Sequence, residues 1–340
     1  MTRSQPRSPL LQKPKRTVSI IGTGSYVPER ILTNADLEKM VDTSDEWIVA
    51  RTGMRERHIA AKDEFTSDMA SHAARRAIEQ AGIEARDLDL IIVATVTPDQ
   101  FFPSTSCFVQ KKIGAKRAAC FDISAACSGF LYGIEIAQQF ITSSTYNTVL
   151  VIGADKLSSI VDWTDRNTCV LFGDGAGAAV LRNRAGSHGV IHTYMGSDGT
   201  LCDVLSMPGG GCRIPPSSDL FEPKMRTIKM NGKETYKYAV TALLTAANVA
   251  LQGAGLKPDD LACIIPHQAN LRIIEAVADR MRVPIERFMV NLDRFGNTSA
   301  AAVAIALDEA NRTQRMKLGD YVLLIVFGGG LTWESSVVLW

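Results

Sequence analysis

Nowhere does the chain approach the roughly eighteen consecutive apolar residues that a bilayer-crossing helix needs, so no membrane span is expected. Its longest apolar runs, 300–307 and 321–327, have the lengths of a buried helix and a buried strand. A surplus of charge is missing too: 37 basic residues stand against 36 acidic ones, for a formal +1. That balance exerts no net pull on nucleic acid or an anionic surface, and a charged partner has to be met by a local patch. With 13 prolines and 46% hydrophobic residues, the composition is neither collagen-like nor that of a disordered chain.

There is no C-x-x-C. Seven cysteines (Cys107, Cys120, Cys127, Cys169, Cys202, Cys212 and Cys263) make an odd number, and a chain of this length buries enough surface to fold without disulfides. Free thiols in a reducing, cytoplasmic compartment are therefore expected. Metal ligands at diagnostic spacing are also lacking, because the His188/His192 pair has neither a third ligand nor a helical pattern. Residues 1–16 hold five basic residues, three prolines and no acid, without the apolar core of a secretory signal. They read as a disordered basic extension rather than a transit peptide, since the prolines interrupt an amphipathic helix. The fold is expected to begin near Thr17.

What the sequence does contain is a repeat. Ala81-Gly82-Ile83, Asp87-Leu88 and Ile91-Ile92 return 173 residues later as Ala254-Gly255-Leu256, Asp260-Leu261 and Ile264-Ile265 with identical internal spacing. A second echo pairs Val170–Gly175 (VLFGDG) with Ile325–Gly330 (IVFGGG). Such a long period means a duplicated domain rather than a solenoid. Patterning predicts strands over 18–22, 90–95, 118–123 and 149–152 with helices over 66–81 and 129–143 in the first copy. The second is predicted to carry helices over 232–253, 271–281 and 299–310 with strands over 262–265 and 321–327. This alternation predicts α/β architecture with mostly parallel sheets, in two halves spanning 17–185 and 186–340.

Three polar residues stand at strand-to-helix corners. Cys127, in Ser124-Ala125-Ala126-Cys127-Ser128-Gly129, precedes a helix whose Phe130, Ile134, Ala137 and Ile141 keep apolar spacing. The positive end of that helix is expected to lower the thiol pKa. A buried structural cysteine is an equally good reading of this position. His267 follows the strand over 262–265, where open α/β sheets place ligands. Asn297 begins the last helical segment after an expected strand, and taken alone it reads as an N-cap rather than a site residue. Nucleophile, acid/base group and hydrogen-bond donor thus occur in the order Cys, His, Asn.

SAACSGF, IIPHQANLRII, FGNTSAA and FGGGLTW together resemble the 3-oxoacyl-[acyl-carrier-protein] synthase III family, and GTGSYVPER, NADLEKMVDTSDEWIVARTGMRERHIA and FGDGAGAAVL extend the resemblance from about Val18 to Trp340. It implies a thiolase-like fold of two duplicated α/β halves in five αβαβα layers. It also implies an acyltransferase that initiates type II fatty-acid synthesis, taking an acyl primer, acetyl first among candidates, from acyl-CoA onto Cys127 and condensing it with malonyl carrier protein. His267 and Asn297 would bind the malonyl thioester, and the backbone N–H groups of Cys127 and Gly329 would form the oxyanion hole. Thr43, Trp47, Arg51, Arg166 and Asn270 match CoA-binding positions, with Trp47 and Arg166 sandwiching the adenine. Phe102 matches a residue that closes the acyl pocket across a homodimer interface. Lys237 and Arg272 match the docking patch for acidic acyl carrier protein, which Lys233 and Arg280 would extend and Asp279 would oppose. Acyl-CoA is a substrate, so no cofactor and no metal are implied. A papain-type hydrolase shares the Cys, His, Asn order but lacks its signature here. Condensing enzymes that make polyketide or signalling products share the same three residues and remain an alternative.

Overall fold

The computed structural model describes residues 17–184, 186 and 188–340. The expected basic extension, 1–16, lies outside the described residues. Two sheets form the frame. The first has five strands in the order Thr17–Tyr26, Asp174–Arg184, Thr148–Lys156, Leu90–Ala94, Ala119–Ile123. The second has four, in the order Leu261–Pro266, Tyr321–Gly328, Thr332–Leu339, Gly189–Ser197.

The repeat holds in space. Strand Tyr321–Gly328 starts 173 positions after Thr148–Lys156, and each is flanked by a parallel strand on one side and an antiparallel one on the other. Helix Ala301–Arg312 is the counterpart of Gly129–Thr142. These two helices lie between the sheets, while Thr66–Gln80 and Thr105–Ile113 cover the first sheet outside and Gly232–Ala254 and Leu271–Met281 cover the second. Five αβαβα layers result. Composition explains the central layer: Phe130, Leu131, Ile134, Ala137 and Ile141 of one helix and every side chain of 301–307 in the other are buried. A helix apolar around its circumference needs cover on both sides. Strand Leu90–Ala94 is buried throughout, as a parallel strand under two helical layers should be.

Two expectations change. The sheets are mixed, not mostly parallel, because each half ends in antiparallel strands. The glycine echo also joins unlike places: Ile325–Gly328 lies inside a strand, whereas Val170–Gly173 is a loop ahead of one. What the two segments share is that each leads into the antiparallel strand of its half.

Candidate active site

Strand Ala119–Ile123 gives way to a tight turn, Ala126–Ser128, that feeds helix Gly129–Thr142. Ala126 holds a left-handed φ of 46°, an uncommon state for a residue with a Cβ and one that clusters at functional sites. Thr332 Oγ1 lies 3.2 Å from the Ala125 carbonyl oxygen and 3.0 Å from Ser128 Oγ. Gly328 backs the turn so closely that a Cβ there would stand 2.8 Å from the Cys127 nitrogen. The turn is thereby clamped between the two halves of the fold.

Cys127 is 7% exposed. Burial pushes its thiol up to about 12; a hydrogen bond with Ser299 opposes this and the Asp155 carboxylate adds to it. A helix N-terminus returns at most about 2 kcal/mol, roughly 1.5 pKa units. The expected thiolate is therefore corrected: desolvation outweighs the helix dipole, and Cys127 rests as a neutral thiol.

His267 leaves the end of strand Leu261–Pro266, its backbone N–H donating to the Ile325 carbonyl at 2.8 Å. The ring is buried, which lowers its pKa to about 4 and keeps it neutral at pH 7. Its Nδ1 has no hydrogen-bond partner. Asn297 is held at both ends of its backbone unit, N–H donating to Leu171 O at 2.8 Å and C=O accepting from Gly173 N at 3.1 Å. Its side chain does not cap the helix, which starts at Ala301 behind Ala300. Instead Oδ1 accepts from Ser299 N at 2.9 Å. An N–H can only be met by the amide oxygen, so the NH₂ group is left as the donor facing away.

One cavity of about 600 Å³ is lined by Cys127, His267 and Asn297 together with Trp47, Arg51, Asn270 and Arg272. It runs from exposed arginines to the three buried polar residues. Trp47 sits on helix Asp45–Thr52, started by Ser44 Oγ accepting from Trp47 N. Arg166 and Arg51 place Cζ 5.1 and 5.4 Å from its ring centroid. Arg166 is steadied by donating to the Asp42 carbonyl at 2.7 Å. Thr43 lies just before this helix with Oγ1 buried and without a partner. Asn270 is already engaged, since Nδ2 donates to Arg51 O at 3.0 Å and Oδ1 caps Arg272 N at 2.9 Å. It thus ties the Trp47 helix to helix Leu271–Met281.

A second, apolar cavity of about 200 Å³ adjoins Cys127, with Gly329, Leu205, Ile160, Phe172 and Val96 in its wall. Phe102 does not line it and is 83% exposed. Lys237 is exposed on helix Gly232–Ala254, next to Tyr238, and lies outside the lining of the large cavity, whereas Arg272, Lys233 and Tyr236 belong to it. Among the described residues no cluster of three or more His, Cys, Asp or Glu side chains could hold a metal ion.

Sequence reasoning missed Asp155 and Ser299. Asp155 is wholly buried at the end of strand Thr148–Lys156, its Oδ1 accepting from Thr95 Oγ1, Val96 N, Thr97 N and Thr97 Oγ1 at 2.8–3.1 Å. Burial raises its pKa, with Ser299 the first of the groups opposing it. A carboxylate closing the apolar run VLVIGAD was the available signal. Ser299, at φ 54°, carries no such signal.

The chain matches the profiles of 3-oxoacyl-[acyl-carrier-protein] synthase III over residues 121–199 and of that enzyme's C-terminal part over 251–340. It is 55% identical over 326 residues to the beta-ketoacyl-[acyl-carrier-protein] synthase III of Caldanaerobacter subterraneus subsp. tengcongensis, covering 96% of this chain and 98% of that one. Against the crystal structure of 3-oxoacyl-[acyl-carrier-protein] synthase III from Aquifex aeolicus it is 46% identical, with TM-score 0.88, covering 95% of this chain and all of the other. A priming beta-ketosynthase from the R1128 polyketide pathway is 37% identical at TM-score 0.90, with 97% of this chain and 98% of that one covered. The chain therefore belongs to the 3-oxoacyl-[acyl-carrier-protein] synthase III family.

Proposed function

We propose that this acyltransferase initiates fatty-acid synthesis by moving an acetyl primer from acetyl-CoA to Cys127 and condensing it with malonyl carrier protein. The observation that carries the reading is the shared cavity, in which Cys127, His267 and Asn297 meet at one end and the Trp47 and Arg51 pair lies at the other.

Acylation exchanges one thioester for another. The Cys127 sulfur attacks the acyl carbonyl, CoA leaves as its thiolate, and the proton of the neutral thiol is transferred to it. Backbone N–H groups of Cys127 and Gly329 hold the tetrahedral oxyanion. The apolar cavity beside Cys127 accepts a short acyl chain. In the second step the malonyl carboxylate leaves as CO₂, and the C–C bonding pair becomes an enolate with its charge on the thioester oxygen. A neutral imidazole and the Asn297 NH₂ supply donors to that oxygen, and a general base is not needed. The enolate carbon then attacks acyl-Cys127, and collapse of the adduct releases the thiolate, which takes up a proton.

The enzyme works in this reading as a cytoplasmic homodimer in which Phe102 of one subunit closes the acyl pocket of the other. Trp47 and Arg166 stack on the adenine once Arg166, which packs with Cζ 5.1 Å from the Trp47 ring centroid, lifts off that ring to admit it; Arg51 and Thr43 lie by the nucleotide, and Asn270 meets the pantetheine arm. Arg272 and Lys237, on neighbouring helices, receive the acidic carrier protein. No resident cofactor takes part. Likeness to the R1128 priming ketosynthase favours a second reading, the priming of a polyketide chain by the same chemistry. Incubation with acetyl-CoA followed by peptide mass mapping tests the first half: one acetyl group is expected on the Cys127 peptide, and an adduct on another cysteine overturns the assignment.

A further inference from the structure

Arg57 is wholly buried, at 0% exposure, yet none of its hydrogen-bond partners is a carboxylate. Its Nη1 donates to Leu32 O at 3.2 Å and to Asn34 Oδ1 at 2.9 Å, and Nη2 donates to Val170 O at 2.7 Å. Its Nε has no partner. Burial lowers its pKa to about 10, which leaves the group charged at neutral pH. Cys169 and Glu56 oppose that shift, but a buried cation that donates to no carboxylate is expensive to keep, and the reaction steps above do not use it.

Its position offers a reason. Val170 opens the segment on which Asn297 hangs: Leu171 O accepts from Asn297 N, Gly173 N donates to Asn297 O, and Phe172 and Asn297 form a parallel β-bridge. The aliphatic stem of Arg57 packs against the turn before Asn297. A Cβ on Gly296, which has φ 63°, would stand 2.9 Å from Leu171 O and 3.3 Å from Arg57 Cβ. On the other side, Asn34 Nδ2 donates to Met54 O at 2.9 Å and to Asp45 Oδ1 at 2.8 Å. Asp45 is the first residue of the Trp47 helix.

We propose that Arg57 is a positioning residue for malonyl decarboxylation: by gripping the Val170 carbonyl it fixes the 170–173 segment, and so sets where the Asn297 amide meets the enolate oxygen. The inference rests on the reading of Asn297 given above. A guanidinium suits the task because its planar fork reaches acceptors in two directions, which a lysine ammonium, a single point of charge, cannot reproduce.

The two half-reactions of the full-length enzyme separate this role from a general one. In Arg57→Lys, CO₂ release from malonyl carrier protein is expected to fall about 100-fold, the scale of an ångström misplacement at a reacting centre. Acetyl transfer onto Cys127, followed by intact mass, should stay near the wild-type rate. In Arg57→Gly, added guanidinium should restore part of the CO₂ release and do nothing for Asn297→Ala. Equal loss of both half-reactions in Arg57→Lys, or loss of neither, overturns the proposal, as does failure of guanidinium to rescue a folded Arg57→Gly. Undiminished CO₂ release in Asn297→Ala would overturn the reading of Asn297 and this proposal with it. Loss in Asn297→Ala without loss in Arg57→Lys would overturn the role of Arg57 alone.

Discussion

Replacing Gly328 by alanine would press a methyl group into the turn that carries Cys127. The new Cβ would stand 2.8 Å from Cys127 N, 3.0 Å from Ser128 N and 3.2 Å from Thr332 Oγ1. Comfortable non-bonded contacts begin near 3.5 Å, so the turn must retreat by about half an ångström. Both nitrogens are backbone atoms fixed by the helix that follows, and neither can swing aside as a side chain would. Overpacking of this kind costs about 1–3 kcal/mol of stability. The displaced N–H is one of the two donors assigned to the oxyanion. Complete loss of such a donor costs about 100- to 1000-fold, and a partial displacement should cost about 10- to 100-fold in acylation. Rapid-quench mass measurement of acetyl-Cys127 reads this directly, with a thermal melt reporting the stability term. A Gly328→Ala enzyme that acylates at the wild-type rate would refute the placement of the oxyanion hole at this turn.

Alkylation of Cys127 by iodoacetamide should rise about tenfold per pH unit from pH 7 to 10, because a thiol pushed up to about 12 is almost wholly protonated there; a plateau below pH 9 would mean that the helix terminus wins. In His267→Ala and Asn297→Ala, CO₂ release should fall about 100- to 1000-fold while acetylation of Cys127 is largely kept; comparable loss of acetylation would indicate a Cys–His nucleophile pair. Arg272→Glu should raise KM for malonyl carrier protein and leave KM for acetyl-CoA alone. Added salt should move the wild type the same way, since exposed charges are screened beyond about 8 Å at physiological ionic strength. Salt-independent carrier-protein kinetics in both enzymes would place docking elsewhere.

Much of this architecture could be read from local pattern. The 173-residue interval survives because each copy must bury the same strand between the same helices, and the apolar circumference of 300–307 marks a helix with no solvent face. The antiparallel pairing was legible in principle: three residues join Tyr321–Gly328 to Thr332–Leu339, too few for a parallel crossover. Asn297, expected after a strand as well, instead follows the short helix Leu292–Phe295, whereas Cys127 and His267 stood out because each follows a strand, where a sheet opens onto a cavity. Their protonation states did not. The Cys127 thiol is governed by burial, by a hydrogen bond with Ser299 and by Asp155, 28 residues away in sequence, and no neighbour of Cys127 in the chain announces them. Arg57 reads in sequence as one more charge in RERH, and only the packing of Gly173 and Gly296 around its stem makes it an interior cation. Asn297 illustrates the middle case, since the motif marked the residue while its hydrogen bond to Ser299 N decides which end of the amide faces the cavity.

The central claim is that Cys127 carries the primer and that the malonyl-derived carbon is joined to it. Radiolabelled acetyl-CoA and malonyl carrier protein, followed over a single turnover, test it most directly. Label should pass first to Cys127 and then to 3-oxoacyl carrier protein as CO₂ is released, and Cys127→Ala should form no labelled product. Labelled 3-oxoacyl product from Cys127→Ala, or a wild-type enzyme whose acetyl-Cys127 never transfers its label to the carrier protein, would contradict the account.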